Sequence, residues 1–422
     1  MSNNESSIMV EYLDTLKMQN KALPSMAMSK IFRQFFTPQK YSQIMIENLN
    51  IDTPKKILDL SMGEGSLLIE AMKVWENSEF IGNDIDINCC DNIKRDYIDK
   101  IVCFNENIFK QIAIEKIVKS TGKVDLCLAN PPFHLTPQDE DTKRILEKYD
   151  LNVYNKSEFI PAEVIFILQC LDALDNEGTL SIILPDGFFV NTYLQRFRNF
   201  LLNNYKIEKV IELPSNIFKK TDAKTHILIL KNMFDLNEKI KLESIENNKK
   251  ILIDKKEAVY RMDYSYYSVL ENYNNKSIMI SDKKLGTEFL RGKSKYLLKD
   301  INDEYILHTT NFSKTKIFNN KLESPEILLP YSDKIAIAGD IVLARVGTYC
   351  LGKVGMVENG YFIITDCIFI IRVKDIEIRN KIYNLLISIE GQRWIKAISK
   401  GVSAKHITLE DIKKFPLIKG DD

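Results

Sequence analysis

The sequence has few of the residues that build metal sites and disulfide frameworks. Its 422 residues include seven cysteines and four histidines, and no two cysteines are spaced as C-x-x-C. A structural zinc site needs Cys and His ligands in closely spaced pairs, and a disulfide framework needs cysteines that can be paired. We therefore predict that the protein holds no metal and works in a reducing compartment, which we expect to be the cytoplasm.

Long apolar runs and an overall charge excess are also lacking. No run reaches the ~18 apolar residues of a membrane span, and the polar N-terminus is unlike a signal peptide, so we predict no membrane association. The 58 basic and 58 acidic residues cancel, yet residues 241–422 hold 30 basic against 24 acidic residues. Residues 1–240 hold 28 against 34. This modest C-terminal excess favours contact with a polyanion.

The most informative motif that is present is Asn130-Pro131-Pro132-Phe133, which follows the apolar segment Val124–Ala129. Two prolines fix φ and remove two backbone donors, so a strand ends there in a stiff, extended turn. The Asn130 amide oxygen and the Pro131 carbonyl can accept both N–H groups of an exocyclic amine while Phe133 stacks on its ring. Such acceptors localise the nitrogen lone pair for attack. By itself, the motif is equally compatible with a rigid loop.

A glycine-rich turn and an acidic strand end lie upstream of this motif. Gly63 and Gly65 follow an apolar strand and precede a helical pattern, so that the backbone can approach a ligand at a helix N-terminus. Asp84 ends the next apolar strand, 19 residues after Gly65, where an acid can accept both hydroxyls of a ribose. A plain strand–turn–helix remains an alternative for the glycine turn alone.

Short apolar segments alternate with helical patterns from about residue 57 to residue 230, which predicts an α/β fold with a parallel, doubly wound sheet. A polar stretch follows, and then short strands with turn signals and a helical stretch over residues 379–399. We therefore predict a lead-in over residues 1–30, a catalytic domain over 31–240 and a smaller mixed α/β domain over 241–422.

Taken in order, these motifs resemble the adenine-N6 branch of the amino-methylating DNA methyltransferases, most closely the modification subunits of type I restriction systems. The resemblance covers about residues 31–230 and implies a Rossmann-like, S-adenosylmethionine-dependent methyltransferase domain. It implies that the cofactor is held by Phe36, Thr37, Pro38, Asp59, Gly63, Gly65, Asp84 and Asn107. It implies that the catalytic motif is Asn130, Pro131, Pro132 and Phe133.

Two positions depart from the pattern of that family. Leu60-Ser61-Met62 replaces the usual Pro-Ala-Cys before the first glycine, and Asn107 stands where the family has an acid that contacts the cofactor's adenine. Either departure could weaken cofactor binding. Downstream, the segments 184–188 and 212–218 also resemble the family's core.

The C-terminal part makes a second resemblance. Residues 338–348, 351–355 and 401–407 resemble the target-recognition domains of type I specificity subunits. Arg345, Lys353 and Lys405 are accordingly expected to contact DNA phosphates or base edges. Each of these residues taken singly could equally be a surface charge on a hairpin.

Together, the two resemblances predict a site-specific DNA methyltransferase (adenine-specific) that uses S-adenosylmethionine to methylate N6 of a flipped-out adenine in duplex DNA. We expect it to belong to a restriction-modification system. Two alternatives stay open. The same motif serves enzymes that methylate other planar amines, in RNA guanine or protein glutamine, and the departures could mark a DNA-binding subunit whose cofactor site has decayed.

The expected partners are double-stranded DNA and a restriction endonuclease. Because only about 30 residues precede the first motif, we expect any such nuclease to be a separate chain. One recognition domain per chain predicts either a monomer on an asymmetric site or a homodimer, paired through the C-terminal domain, on a split one.

Overall fold

The computed structural model describes residues 37–215, 217–218, 224–235, 239–271, 278–292, 298, 301–313, 316–322, 335–347, 349–400 and 405–418. The lead-in predicted for residues 1–30, and Phe36 of the F-x-T-P motif, lie outside the described residues. The chain divides into two units, the first ending at Met262 and the second beginning at Asp263. None of the helices among the described residues is long and apolar enough to cross a membrane.

The first unit is built on a nine-stranded sheet. Its strands are β1 Lys56–Asp59, β2 Glu79–Asn83, β3 Ile101–Phe104, β4 Val124–Ala129, β7 Leu174–Pro185, β8 Lys206–Glu212, β9 Thr225–Lys231, β10 Lys239–Ser244 and β11 Asn247–Asp254, with a small hairpin of β5 Leu135–Pro137 and β6 Phe159–Pro161 beside it. The order across the sheet is β11-β10-β8-β9-β7-β4-β1-β2-β3. The predicted α/β class is confirmed.

Helices connect these strands along the chain. They are α1 Gln39–Glu47, α2 Ser66–Val74, α3 Ile87–Asp96, α4 Gln111–Thr121, α5 Glu140–Glu147, α6 Ala162–Ala173, α7 Asp186–Val190, α8 Gln195–Asn204 and α9 Lys255–Tyr260. The strands between the helical layers are apolar on both faces because both faces are covered. One core joins such residues as Ile57, Leu126 and Ile183 to Leu68 and Ala71 of α2.

The sheet is not wholly parallel, which corrects the prediction. Strand β9 runs antiparallel to both β7 and β8, and β11 runs antiparallel to β10. Periodicity does not distinguish the two directions, because a buried strand is apolar on both faces in either case. The consequence is that β9 starts at the sheet edge where β7 and β8 end.

The boundary between the units also differs from the predicted one at residues 240/241. Strand β10 pairs in parallel with β8, and β11 pairs with β10, so the polar stretch expected to be a linker extends the first sheet. The buried Arg198 of α8 then donates to the carbonyls of Val259 and Tyr260, which ties the end of α9 to the first unit. The polarity of β11, which lies at the edge of the sheet, concealed these strands.

The second unit combines short sheets with three longer helices. Its strands are β12 Ile278–Met279, β13 Glu288–Arg291, β14 Ile306–Leu307, β15 Ile317–Asn319, β16 Ile335–Ala336, β17 Ile341–Ala344, β18 Val354–Asn359, β19 Phe362–Ile364, β20 Ile368–Arg372 and β21 Pro416–Ile418. They form a five-stranded sheet β13-β20-β17-β18-β15, a three-stranded sheet β14-β19-β16 and the pair β12-β21. Its helices are α10 Tyr264–Leu270, α11 Ile376–Ile387, α12 Ile389–Ile398 and the short α13 Leu409–Lys413.

The helical stretch predicted over residues 379–399 is in fact two helices. Ser388 ends α11 and begins α12, since its hydroxyl accepts from the Gly391 N–H at 3.0 Å. Trp394 of α12 packs with Phe415 and Phe369 in a core that also includes Ile382 of α11. This unit is therefore a mixed α/β domain, as predicted.

Candidate functional site

Three predicted motifs lie at the carboxyl edge of the first sheet: the glycine turn after β1, Asp84 after β2 and the N-P-P-F turn after β4. Strand β1 lies between β2 and β4 and runs parallel to both, with Asp59 opposite Gly82 on one side and Leu128 on the other. The carboxyl ends of parallel strands face the same way, so the segments after β1, β2 and β4 leave from neighbouring positions. In open α/β sheets, ligands bind in the crevice outside these carboxyl ends.

The glycine turn after β1 is tied to the end of β2. Gly63 has φ +53° and Gly65 has φ +81°, both in the left-handed region that favours glycine. Gly65 is the residue immediately before α2, and its N–H donates to the carbonyl of Met62 at 2.7 Å. The Gly63 N–H donates to Oδ2 of Asp84 at 2.8 Å, so the turn and the acid form one unit.

Asp84 is buried at the end of β2 and already accepts backbone hydrogen bonds. In addition to Gly63, the N–H of Asp86 donates to its Oδ1 at 2.8 Å. Burial raises the pKa of Asp84 to about 6, although these hydrogen bonds oppose the shift. A carboxylate has about four acceptor sites on its two oxygens, so backbone hydrogen bonds to Asp84 are compatible with a hydrogen bond from a hydroxyl group.

Asp59, at the end of β1, forms a hydrogen bond within the same turn. Its Oδ1 accepts from the Ser61 N–H at 2.9 Å, and its side chain is buried. Burial raises the pKa of Asp59 to about 8, the Ser61 hydrogen bond lowers it and the charge of Asp84 raises it further. A buried acid in this position supports the turn.

Asn130 is oriented by Thr37, from the F-x-T-P motif. Its Nδ2 donates to the hydroxyl of the buried Thr37 at 3.0 Å. Pro38 is the residue before α1, with φ −62°. Thr37 therefore lies against the turn after β4, and its position determines which way the amide of Asn130 points.

The rest of the N-P-P-F turn packs against aromatic residues. Pro131 is buried, and Pro132 and Phe133 are half-buried. The ring of Phe133 meets the ring of Phe218 edge-to-face, with centroids 6.3 Å apart and planes at 83°. Phe218 lies in the segment 212–218 that resembles the family core. Sequence spacing alone could not have placed it beside Phe133.

Asn107 lies in the segment that follows β3. Its Oδ1 accepts from the N–H of Phe109 at 3.1 Å, and the ring of Phe109 lies 6.1 Å from that of His134, next to the N-P-P-F turn. The Asn107 side-chain oxygen therefore forms the same turn contact that an aspartate oxygen could form. The second polar atom of the side chain differs, since it is an N–H donor in asparagine and an acceptor oxygen in aspartate.

Two amides that support this segment were not predicted. The side chain of Asn83 donates to the carbonyls of Leu60 and Glu106 and accepts from the Glu106 N–H. Gln169, buried in α6, donates to the carbonyl of Ile108 at 2.8 Å. An amide within an otherwise apolar strand or helix was the available signal, because a buried amide must find partners.

In the second unit, Arg345 is not placed as expected. It is buried, its Nε and Nη1 donate to the carbonyls of Ile407 and Asp366, and its guanidinium lies over the ring of Phe369 at 5.4 Å. Burial lowers the pKa of Arg345, and the charge of Arg291 lowers it further. These contacts hold two segments together and give Arg345 a structural role, while the expected DNA contact stays a prediction.

Lys353 and Lys405 each accept a backbone hydrogen bond from the segment 344–347. Gly347 donates to the carbonyl of Lys405 at 3.0 Å, and the carbonyl of Lys353 accepts from Ala344 at 2.9 Å. Lys353 is exposed and Lys405 half-exposed. Tyr349, four residues before Lys353, is 89% exposed, the largest fraction among the large apolar side chains of the described residues.

The first unit thus has the architecture of an S-adenosylmethionine-dependent methyltransferase, with an N-P-P-F turn beside a glycine turn and a buried acid. The chain belongs to the N-6 DNA methylase family, whose model matches residues 24–280. A model for the type I restriction modification DNA specificity domain matches residues 308–418. Both resemblances found in the sequence are confirmed.

Similar proteins include two methylase subunits of type I restriction enzymes. The chain is 25% identical over 265 residues to the MpnII methylase subunit of Mycoplasma pneumoniae, which covers 58% of this chain and 45% of that protein. It is 27% identical over 213 residues to the MjaVIII methylase subunit of Methanocaldococcus jannaschii, covering 47% and 36%. The chain therefore spans about half the length, or less, of these curated relatives.

Among solved structures, a modification subunit of a putative type I restriction enzyme from Vibrio vulnificus YJ016 is 17% identical, with 53% of each chain covered and a TM-score of 0.42. Within the described residues of this chain, no group of three His, Cys, Asp or Glu side chains is arranged to hold a metal ion.

Proposed function

We propose that the protein is a site-specific DNA methyltransferase that transfers a methyl group from S-adenosylmethionine to N6 of a flipped-out adenine in duplex DNA. The observation that carries this proposal is the Asn130 amide, held by Thr37 at 3.0 Å, at the sheet edge where the glycine turn also lies. Asn130, after β4, would hold the adenine amine, and the glycine turn, after the adjacent strand β1, would hold the cofactor. The amine and the methyl donor are thereby brought close to one another.

The residues around the glycine turn fit the cofactor. Asp84 can accept the ribose hydroxyls, and Gly63 and Gly65 both have a left-handed backbone and no side chain, which lets a ligand approach closely. Asn107 lies beyond the neighbouring strand β3 and can meet the adenine ring. When bound, S-adenosylmethionine supplies a methyl group on a sulfonium, which makes it an electrophile.

The remaining work is positioning by this chain's own side chains. The Asn130 amide oxygen and the Pro131 carbonyl accept the N–H groups of adenine N6, and Phe133 stacks on the base. Accepting both N–H groups localises the nitrogen lone pair toward the methyl group. The rate enhancement then comes from orientation and from exclusion of water rather than from a strong general base.

Target recognition is assigned to the second unit. Exposed Lys353, half-exposed Lys405 and the aromatic ring of Tyr349 combine phosphate-binding charges with a ring that can contact a base. The wider partners are also part of the proposal: a restriction endonuclease on a separate chain, and a second copy of this chain if the target is a split site. A chromosomal DNA substrate puts this activity in the cytoplasm.

The test is methyl transfer from labelled S-adenosylmethionine to unmethylated duplex DNA, with ribosomal RNA and total protein as competing substrates. Sequencing of modified bases in host DNA, with and without the protein, gives the target. Asn130→Ala should abolish transfer while calorimetry shows cofactor binding close to the wild-type value. Label that enters RNA or protein instead, or an Asn130→Ala variant as fast as wild type, would refute the proposal.

A further inference from the structure

We propose that a cluster of four side chains, Asp186, Glu212, Lys224 and His226, is a positioning device that holds Phe218 against Phe133 at the methyl-transfer site. This inference rests on the proposed function. The cluster, hereafter the Asp186 cluster, lies outside the cofactor and amine-acceptor groups described above, and its members are residues of the sheet edge where β7 and β8 end and β9 begins.

The cluster closes the base of the segment that carries Phe218. Glu212 is the last residue of β8, and Lys224 directly precedes β9. Lys224 Nζ lies 2.9 Å from Glu212 Oε2, and the N–H of Leu213 donates to the carbonyl of Thr225 at 3.0 Å. The end of β8 with Leu213 and the residues Lys224 and Thr225 at the start of β9 are therefore joined by an ion pair and a backbone hydrogen bond.

Asp186 joins this base to the end of β7. Its Oδ1 lies 3.0 Å from His226 Nε2 and 3.8 Å from Lys224 Nζ, and its N–H donates to the Lys224 carbonyl at 2.9 Å. Burial raises the pKa of Asp186, but the His226 hydrogen bond and the Lys224 charge outweigh it and hold the pKa at about 2. Arg261 also contributes positive charge at Asp186, so the carboxylate stays ionised.

Phe218 connects the cluster to the site. It lies six positions after Glu212, is 3% exposed, and packs edge-to-face on Phe133 of the N-P-P-F turn. A shift at the base of its segment would be passed to that ring contact, since a packed ring has little free space around it. Phe133 is the ring proposed to stack on the target base.

The buried charges favour positioning over simple stability. Removing charged groups from water is costly, and well-packed apolar residues of similar size often stabilise a fold as well or better. Directional hydrogen bonds, by contrast, define one arrangement of three strand ends. The cluster is thus suited to fixing where the segment lies, which is what an amine acceptor flanked by aromatic rings requires.

The experiment compares Lys224→Met, which removes the charge, with Lys224→Arg, which keeps it. Lys239→Met is the matched control, because Lys239 pairs with Asp254 at 2.7 Å on a half-exposed surface of the same unit. On duplex DNA that carries the target sequence, Lys224→Met should lower kcat at least tenfold while the Kd for S-adenosylmethionine changes less than twofold. It should also reduce the fluorescence of 2-aminopurine placed at the target adenine. Lys224→Arg and Lys239→Met should stay within threefold of wild type.

Hydrogen exchange separates this inference from the proposed function, because it needs no activity. Lys224→Met should speed exchange of the Leu213 amide and of peptides that contain Phe218, and leave peptides of β1 and α2 unchanged. Unchanged exchange around Leu213 would overturn the inference even if the wild-type protein methylates DNA. An equal loss of kcat and cofactor affinity would overturn it too, since that is general damage. A wild-type protein without methyl transfer would refute the proposed function alone.

Discussion

The amide of Asn130 donates to the hydroxyl of Thr37 at 3.0 Å, although the two residues are 93 positions apart in the chain. Both were predicted as site residues, one on the amine side and one on the cofactor side. Their hydrogen bond joins the segment predicted to accept the amine to the segment predicted to hold the cofactor. It turns the amide nitrogen toward Thr37, so the carbonyl oxygen of the amide points the other way.

Thr37→Val should therefore impair catalysis more than cofactor binding. Valine keeps the shape of threonine but cannot accept the Asn130 N–H, and a lost neutral hydrogen bond is worth about 1–1.5 kcal/mol. We expect kcat to fall about tenfold, which corresponds to about 1.4 kcal/mol in the barrier. Thr37→Ser, which keeps the hydroxyl, is the control. If Thr37→Val loses cofactor affinity but keeps kcat, the proposed orienting role is wrong.

Binding of S-adenosylmethionine should weaken as the pH falls below about 6. Burial raises the pKa of Asp84 to about 6, and only the ionised carboxylate accepts ribose hydroxyls on both oxygens. Affinity should level off above that pH. The effect on the protein without cofactor has the opposite sign: since the folded pKa is above that of the unfolded chain, the stability contribution is present at low pH and is lost as the pH rises through 6.

Calorimetric titrations between pH 5 and pH 8 check this dependence. Asp84→Asn should bind the cofactor more weakly at pH 8 and show little pH dependence between pH 5 and pH 7. A wild-type Kd that stays constant over this range would contradict the assignment of Asp84 as the ribose acceptor.

Gly65→Ala should disrupt the cofactor turn. Gly65 has φ +81°, and a Cβ there would lie 2.6 Å from Cδ1 of Ile93. We expect a loss of stability of about 1 kcal/mol or more from the backbone conformation, with the Ile93 contact adding to it, and a clear loss of cofactor affinity. Gly122→Ala is the matched control, since Gly122 has φ +78° and follows α4. It should lower the thermal midpoint and leave the Kd unchanged. Equal effects of the two variants on the Kd would show that Gly65 matters only for folding.

The sequence allowed the local conformation of the motifs to be predicted better than the sheet around them. The N-P-P-F and glycine motifs carry local backbone constraints, and these persist in any context, so their placement followed from the residues. The direction of β9 and the membership of β10 and β11 in the first sheet depend on pairing between distant segments, which local periodicity does not record.

Arg345 shows the limit of assigning roles by residue type. A positive charge after a strand in a predicted DNA-binding domain suggested a phosphate contact, but this guanidinium donates to backbone carbonyls inside the unit. Arginine has five donors and a flat face, so it serves as readily to join segments as to bind anions. Burial distinguishes the two uses, and burial of a charged residue is not visible in a sequence.

Asn107→Asp should strengthen cofactor binding. The side-chain oxygen of Asn107 accepts from the Phe109 N–H, and an aspartate would keep this bond while adding a second acceptor for the exocyclic amine of the cofactor's adenine. The gain should be about fivefold in Kd, as one added hydrogen bond of about 1 kcal/mol predicts. Asn107→Leu, which can neither accept the Phe109 N–H nor form a hydrogen bond to the cofactor's adenine, should weaken cofactor binding. Weaker binding by Asn107→Asp would show that the amide N–H is used as a donor.

Tyr349→Ala should weaken binding of the target DNA without affecting methyl-donor binding. Its ring is 89% exposed, Lys353 four positions later is also exposed, and loss of a ring that contacts a base is worth about 1–3 kcal/mol. Fluorescence anisotropy at several salt concentrations separates the two residues. Tyr349→Ala should raise the Kd about tenfold or more and leave the slope of log Kd against log salt concentration unchanged. Lys353→Ala should reduce that slope by about one, the value for one lost phosphate contact. Tyr260→Ala, in the first unit and 65% exposed, is the control and should bind like wild type. If Tyr349→Ala binds target DNA as tightly as this control, the exposed ring has no part in recognition.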